Sequence, residues 1–239
     1  MMLALLLHVV LATPADAEAR LKSAAELAAR QEHAAAFDAY RALLDDGVDG
    51  RDLRYNLGTL ALEQDRLGDA VLHLRAARRF DPRDDDVRHN LEVALAQRTD
   101  RLAGELSTAP LYALGEATPP GAARLAVALP LVLLGVALCA RGALDRRWLT
   151  QMLAGLLGLV VAGGALWLAR RSFEASREAV LLLAEADAYK EPSESAATAF
   201  TAHAGLSGLV VDEEGAFVRV RLDNGLEVWL ARSAVGLLP

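Results

Sequence analysis

The sequence predicts a multi-domain membrane protein that joins an α-helical repeat domain, a two-helix transmembrane hairpin and a small all-β domain. Three observations lead to this fold class. Residues recur at an offset of 34 in the first hundred positions, two long apolar segments occupy the middle of the chain, and short apolar runs between turn residues fill the last sixty positions. These patterns are typical of a helical repeat, of membrane-spanning helices and of short strands respectively.

The composition already separates this chain from an ordinary soluble domain. Of its 239 residues, 54% are hydrophobic and only 5% are aromatic, and the mean hydropathy is +0.23. Because a near-normal 24% of the residues are charged, the apolar excess must be concentrated in particular segments. The net charge of −7 argues against nucleic-acid binding, which needs a basic face. The single cysteine, Cys139, excludes an internal disulfide and a cysteine-based zinc site.

Residues 1–17 have the layout of a secretory signal peptide. An apolar core at 3–12 is followed by Pro14 and by a small-x-small triplet at 15–17, so cleavage is expected after Ala17. The core is too short to span a bilayer, which takes about 20 apolar residues. The alternative is an uncleaved start, because no Lys or Arg precedes the core. The signal predicts export of the segment that follows it.

Residues 18–100 contain a repeat with a period of 34 residues. The tetrapeptide RYNL at 54–57 recurs as RHNL at 88–91, and Ala36 recurs as Ala70. This period indicates a helix–turn–helix unit whose apolar face is buried only when it stacks on a neighbour. About two and a half units are close to the minimum for stability, so we expect support from a neighbouring element.

The unit from Arg51 to Asp84 resembles the tetratricopeptide repeat family. Small and apolar residues stand at the signature positions of both helices, and a proline, which lacks a backbone N–H, ends the second helix. The signature residues are Leu57, Gly58, Ala70, Ala77 and Pro82. The resemblance implies a solenoid of helices over 18–100. Residues 21–48 are interpreted as a degenerate copy, and 84–97 as a closing helix with Asp84 at its N-cap.

The first helix of this unit is expected to present one side to partner proteins. The residues predicted to line that concave face are Asp52, Tyr55, Asn56, Thr59 and Glu63. Carboxylates and an aromatic ring would select a partner segment that carries Lys or Arg. For Asn56 a structural alternative stays open, in which it and Asn90 form hydrogen bonds between neighbouring helices.

Residues 122–169 are predicted to form a transmembrane hairpin, after a linker at 101–121. The spans are 122–140 and 149–169, and the second is long enough, at about 1.5 Å per residue, to cross the hydrocarbon layer. The segment between them is basic, and short basic loops stay in the cytoplasm. We therefore expect a bacterial inner-membrane protein with both of its flanking domains on the outer side.

Residues 179–239, after a second linker at 170–178, are predicted to form a small all-β barrel. Five strands are expected, at 180–183, 186–189, 206–211, 217–222 and 226–230, and Asn224-Gly225 is a strong hairpin signal. The order of features, with Tyr189, Phe217 and Trp229 in three of the strands, resembles bacterial SH3 domains. That resemblance implies binding of peptides or cell-wall components. For the three aromatic residues themselves we expect a place in the core rather than contact with a ligand, because few exposed aromatic residues are left to form a groove.

The sequence contains no motif that indicates an enzyme. A Walker loop, a dinucleotide-binding glycine pattern and the zinc-protease helix motif are all absent. The sequence GLSG at 205–208 departs from the nucleophile elbow of hydrolases. We expect a non-enzymatic protein, without cofactor or metal, that acts by holding other proteins.

The order of signal, tetratricopeptide repeats, two-span hairpin and terminal SH3-like barrel is similar to that of the BatE-like membrane proteins of the bacterial aerotolerance operon. This resemblance implies a membrane-anchored adaptor or scaffold of the cell envelope. Its implied partners are membrane proteins with von Willebrand A domains, other Bat proteins and a MoxR-type ATPase. The alternative function is an envelope sensor whose SH3-like domain binds peptidoglycan.

Overall fold

A computed structural model describes residues 14–100, 114–115, 117–139 and 146–238, and within them the fold combines α-helices with one antiparallel sheet. The helices are α1 (Pro14–Ala29), α2 (His33–Asp45), α3 (Arg51–Glu63), α4 (Leu67–Phe80), α5 (Asp85–Ala96), α6 (Pro120–Cys139) and α7 (Arg146–Ala175). The strands are β1 (Glu178–Leu181), β2 (Glu185–Tyr189), β3 (Thr198–His203), β4 (Ser207–Glu214), β5 (Phe217–Leu222), β6 (Glu227–Ala231) and β7 (Val235–Leu238).

Three of the predicted segments fall largely outside the described residues. These are the signal peptide at 1–17, the linker at 101–121 and the basic loop between the two predicted spans, of which 141–145 are not described. Residues 14–17, predicted to end the signal peptide, belong to the first turn of α1.

Helices α1 to α5 follow one another through short connections, and each packs against the next. The left-handed residues Gln31 (φ 61°) and Asp65 (φ 57°) follow α1 and α3 and stand 34 positions apart. The predicted N-cap of α5 is confirmed, since Asp84 accepts hydrogen bonds from the backbone N–H groups of Asp86 and Val87 at 3.0 and 2.9 Å. The backbone therefore repeats with the period of the sequence.

The signature residues lie at the contact between α3 and α4. Leu57, Ala70 and Ala77 are fully buried. A Cβ added to Gly58 would lie 2.5 Å from Cγ of Leu74, so the two helices approach as closely as a glycine allows. Pro82 follows the end of α4, as predicted.

The sheet has the strand order β3-β2-β6-β5-β4-β1-β7, and every neighbouring pair is antiparallel. The predicted hairpin between β5 and β6 is confirmed. Its turn contains Gly225 at φ 84°, and the side-chain oxygen of Asn224 accepts from the N–H of Leu226 at 3.0 Å.

Seven strands form the sheet instead of the five that were predicted. The two additional strands are β3, with the sequence TAFTAH, and β7, with the sequence VGLL. Their sequences explain why they were missed. Phe200 is the one large apolar residue of β3, and Gly236 interrupts β7, so neither strand shows a clear alternation of apolar and polar residues.

The sheet packs directly against α4 through β1 and β7. All four residues of β1 are buried because both faces of the strand are covered. Ala179 and Leu181 belong to the core of the sheet, whereas Val180 joins the core of the helical domain together with Leu238 of β7. A Cβ on Gly236 would lie 2.6 Å from the side chain of Leu72. The sheet is thus the neighbouring element that the short repeat domain needs.

Polar contacts complete this interface. Nη1 of Arg75 lies 2.7 Å from the buried carboxylate of Glu178, and Nη1 of Arg79 lies 3.6 Å from its second oxygen. At the other end, the carboxylate of Asp100 accepts from the backbone N–H of His203 at 2.6 Å and lies 2.8 Å from its Nδ1. A buried charge is tolerated only when it is paired, so the contacts of Arg75 and Arg79 with Glu178 favour one docking geometry.

Helices α6 and α7 are long and apolar enough to cross a membrane. The qualifying segments are Gly121–Leu138 and Thr150–Ala175, each with a mean hydropathy of 2.1, and most of their residues are exposed. The helices pack against each other, with Gly163 so close to the carbonyl of Ala126 that no side chain would fit. The two helices qualify as candidate membrane spans by their length and composition.

The predicted linker at 170–178 is helical as far as Ala175, and its last residue, Glu178, begins β1. The segment contains no Gly or Pro that would end a helix earlier. Arg170 and Phe173 are also buried in it, and burial favours continuation of the helix. Helix α7 is therefore separated from β1 by only two residues.

We expect Gly68→Ala to loosen the docking of the sheet on α4. A Cβ at position 68 would lie 2.6 Å from the carbonyl oxygen of Leu181 and from Cα of Leu182, and backbone cannot move aside cheaply. Such overpacking costs about 1–3 kcal/mol, which should lower the Tm of the purified full-length protein. Gly50→Ala is the control, because a Cβ there meets no atom within 4 Å. Equal melting of both variants would contradict this interface.

Candidate functional site

The five residues predicted to contact partners form one stripe along α3, and most of them bond to neighbouring helices. Asn56 donates a hydrogen bond to the hydroxyl of Tyr40 on α2 at 3.1 Å. Burial raises the pKa of that hydroxyl, and the bond from Asn56 partly offsets the shift. Glu63 pairs with His33 on α2.

Helix α5 is tied to the same stripe through Asn90. Its side-chain amide donates to the hydroxyl of Tyr55 at 3.2 Å and to that of Thr59 at 3.1 Å. Tyr55, Asn56 and Thr59 are therefore half-buried and fix the spacing of the helices. These side chains stabilise the arrangement of the helices rather than forming a free binding surface.

Carboxylates dominate the exposed part of this stripe. The side chain of Asp52 is 83% exposed and pairs with Arg51, whose guanidinium also lies 5.3 Å from the centre of the Tyr55 ring. The side chains of Glu63 and Asp86 are exposed as well. Asp86 stands 34 positions after Asp52 and one turn before Asn90, so it extends the stripe onto α5. We call Asp52, Glu63 and Asp86, with the edge of Tyr55, the acidic face.

A second site, which the sequence analysis did not anticipate, lies where the helical domain meets the end of α7. It is a cleft of about 310 Å³, and we call it the junction cleft. Its lining comes from three separate parts of the chain: Asp49, Arg54, Ala76, Arg79, Phe80, Arg170, Phe173 and Glu174. The sequence places arginines at the end of α4 and again directly after the second predicted span. It gives no sign that these two groups lie together in the fold.

The arginines of the junction cleft are held in place by backbone carbonyls. Nη2 of Arg79 donates to the carbonyls of Phe173 at 2.7 Å and Ser176 at 2.9 Å, which satisfies acceptors at the end of α7. Arg170 donates to the carbonyl of Thr118 at 3.1 Å and to the carboxylate of Glu174 at 2.9 Å. Both guanidinium groups also lie over the ring of Phe173.

The other wall of the junction cleft is built around Arg54. Its guanidinium binds the carboxylate of Asp49 through two hydrogen bonds, of 2.7 and 2.8 Å. Three guanidinium groups and two carboxylates line the cleft, which leaves one net positive charge. The cleft is thus suited to a small anion or to a group with one negative charge.

His73 lies beneath Arg54 in the core of the helical domain. Its side chain is 5% exposed, and its Nδ1 lies 3.3 Å from Nη1 of Arg54. Burial, and then the positive charges of Arg54 and Arg41, lower the pKa of His73 to about 3. The imidazole is therefore neutral at pH 7 and accepts a hydrogen bond from the guanidinium.

Comparison with known proteins identifies no relative. A scan of protein-family models finds none that matches the chain, and a search of curated proteins finds no similar sequence. Within residues 14–100, 114–115, 117–139 and 146–238, no three His, Cys, Asp or Glu side chains are grouped to hold a metal ion. Function is therefore inferred from the acidic face, the junction cleft and the arrangement of the domains.

We expect His73 to make the folded protein sensitive to acid. Below pH 6.5 the unfolded chain binds a proton at this histidine, whereas the folded chain does so only near pH 3. The free energy of unfolding should therefore fall by about 1.4 kcal/mol for each pH unit below 6.5. His73→Gln should reduce the loss between pH 7 and pH 5 by about 2 kcal/mol, measured by denaturant unfolding.

His89→Gln, at an exposed position of α5, is the matched control and should leave the pH dependence unchanged. An identical pH dependence in the His73→Gln variant and the parent protein would show that the imidazole is protonated normally in the fold.

Proposed function

We propose that this chain is a non-enzymatic scaffold of the bacterial cell envelope, anchored in the inner membrane by α6 and α7. In this proposal the helical domain and the sheet form one unit on the outer side of the membrane. The direct packing of α4 against β1 and β7 is the observation that carries it. The two candidate spans lie between these domains in the chain.

Contact between the two domains favours a two-span topology. Arg75 and Glu178 lie 2.7 Å apart, so their domains must share one side of any membrane. The chain between Asp100 and Glu178 would then cross the bilayer an even number of times. Two apolar helices meet that requirement, and the export signal with the basic loop predicts which side the domains share.

The proposal includes a finer assignment of the two domains. Helices α1 to α5 would be tetratricopeptide repeats, supported by the buried signature residues Leu57, Ala70 and Ala77 and by helix ends that recur after 34 residues. The sheet would be an SH3-like barrel, supported by its small size, its antiparallel pairing and its Asn-Gly hairpin.

Partner binding is proposed to occur at the acidic face. The sheet covers α4, whereas the carboxylates of Asp52 and Asp86 stay exposed. These negative charges favour a partner segment with Lys or Arg. The resemblance to BatE-like proteins implies that this partner is a membrane protein with a von Willebrand A domain or another Bat protein.

The alternative, a sensor whose sheet domain grips peptidoglycan, has less support. Trp229 is only 8% exposed, and the guanidinium of Arg219 lies 5.4 Å from the centre of its ring. Tyr189 and Phe217 pack edge to face, with ring centres 5.9 Å apart. These contacts use the aromatic faces that a sugar would need. Tight binding of the purified full-length protein to sacculi would favour the sensor.

The topology is tested by cysteine labelling of the full chain in a Cys139→Ser background. Glu92→Cys and Glu194→Cys place a thiol at exposed positions of the helical domain and the sheet domain, and Ala143→Cys places one in the predicted cytoplasmic loop. We expect an impermeant maleimide to label positions 92 and 194 in intact spheroplasts, and position 143 only after lysis. Labelling of 92 and 194 from opposite sides would overturn the single-unit proposal.

The partner surface is tested by reversing the charge of the acidic face. Asp52→Lys with Glu63→Lys should reduce cross-linking to the membrane partner at least about tenfold, because like charges would then oppose each other across the interface. The control is Glu191→Lys with Glu194→Lys, an equal charge change on the sheet domain. Point variants are preferred to deletion of the sheet domain, because deletion would remove Val180 and Leu238 from the core of the helical domain. Loss of cross-linking in the control alone would move the binding site to the sheet domain.

A further inference from the structure

The junction cleft lies where α7 would leave the membrane. The predicted second span ends at residue 169, and the next residue, Arg170, lines the cleft. Trp167 stands one turn before Arg171, whose guanidinium lies 5.6 Å from the centre of the indole ring. Tryptophan and arginine are enriched at the depth of lipid headgroups. The cleft therefore lies at the level of the lipid phosphates.

The charges of the cleft suit a single phosphodiester. Asp49 pairs with Arg54, and Glu174 pairs with Arg170. Glu178, outside the lining, lies 2.7 Å from Arg75 and 3.6 Å from Arg79, whose Nη2 bonds go to neutral carbonyls. With Arg75 and Glu178 included, four guanidinium groups and three carboxylates still leave one net positive charge. The one net positive charge of the lining matches the one negative charge of a phosphodiester. Guanidinium groups bind phosphate oxygens through paired N–H donors and are the preferred partners of this group.

The apolar part of the cleft suits the rest of a lipid. Phe80 is 46% exposed at the end of α4, and it lines the cleft beside Phe173 and Ala76. An exposed aromatic ring at headgroup depth is stabilised by contact with glycerol and acyl carbons. The volume of about 310 Å³ lies at the lower end of the range for small-molecule sites.

We propose that the junction cleft binds the phosphate of an anionic phospholipid from the leaflet in which α7 ends. The headgroup would lie against Arg79 and Arg170, with its glycerol on Phe80. This inference rests on the proposed membrane anchoring. Lipid binding here would tie the helical domain to the membrane surface, because residues of α4 and α7 share the site.

The test is native mass spectrometry of the full-length protein in a neutral detergent. The probes are dioctanoyl phosphatidylglycerol, dioctanoyl phosphatidylcholine and inorganic phosphate, each at the same concentration. We expect one molecule of phosphatidylglycerol to be retained, and phosphatidylcholine to be retained at least about fivefold less, in line with one unit of charge at a membrane surface. Inorganic phosphate should also be retained less than phosphatidylglycerol, because it lacks the glycerol and acyl carbons that would contact Phe80. Retention of inorganic phosphate equal to that of phosphatidylglycerol would show that the site takes free phosphate and would overturn the lipid assignment.

Two variants should change the affinity in opposite directions. Glu174→Gln removes one carboxylate while its amide oxygen still accepts from Arg170, so binding of phosphatidylglycerol should tighten by about fivefold. Phe80→Glu places a carboxylate at the cleft and should weaken binding by a similar factor. Val93→Glu, which makes the same kind of change at an exposed position of α5, is the control and should bind like the parent protein.

A failure of the lipid-binding proposal can be distinguished from a failure of the membrane-anchoring proposal. Carbonate extraction of the same cells reports whether the chain is an integral membrane protein. A chain that resists extraction and retains phosphatidylglycerol no better than phosphatidylcholine would overturn the lipid site alone. A chain released by carbonate would overturn the anchoring and the lipid site together. A tighter Glu174→Gln variant supports the site, since a merely structural role for Glu174 would not increase lipid affinity.

Discussion

The contact of α4 with β1 and β7 is the constraint on which the rest of the structure depends. Gly68, Leu72, Arg75 and Arg79 recur with helical spacing on the side of α4 that meets the sheet. The buried carboxylate of Glu178 is compensated by these arginines only when the domains dock. Removing either partner would leave an uncompensated buried charge, which is more destabilising than the loss of an exposed pair. The core of the helical domain also includes Val180 and Leu238 of the sheet, so it is complete only when the domains dock.

This contact makes the end of the second span a rigid junction. Helix α7 leads to β1 with two residues between them, and Arg79 holds the last carbonyls of the helix. A displacement of α7 would therefore move β1 and, through it, α4. The apolar helices, the sheet and the helical domain are coupled by packed side chains rather than by flexible linkers.

Local features of the fold were predictable from the sequence, and contacts between distant segments were not. The Asp84 cap and the Asn224-Gly225 hairpin each depend on neighbouring residues, so a short window contains the whole signal. The 34-residue period is visible when the sequence is compared with itself. The junction cleft joins residues 49, 79 and 170, and no spacing encodes their meeting. The five residues of the candidate face were found as a stripe, but their hydrogen bonds to Tyr40 and Asn90 needed the structure. One signal was present and was not used: Ala70, Val71 and Leu72 are consecutive apolar residues and therefore lie on different sides of α4, which indicates a second covering element.

Helices α3 and α4 have different surroundings, and this difference supports the proposed scaffold role of so short a helical domain. Because the sheet covers α4, α3 and α5 keep their exposed carboxylates available. The bonds of Asn56 and Asn90 fix those two helices before any partner arrives, so little conformational entropy remains to be lost on binding. An acidic face of this kind gains its selectivity from charges held at fixed positions. The same docking that stabilises the fold thus leaves a preformed acidic surface, and in the proposed topology the end of α7 would set the distance of that surface from the bilayer.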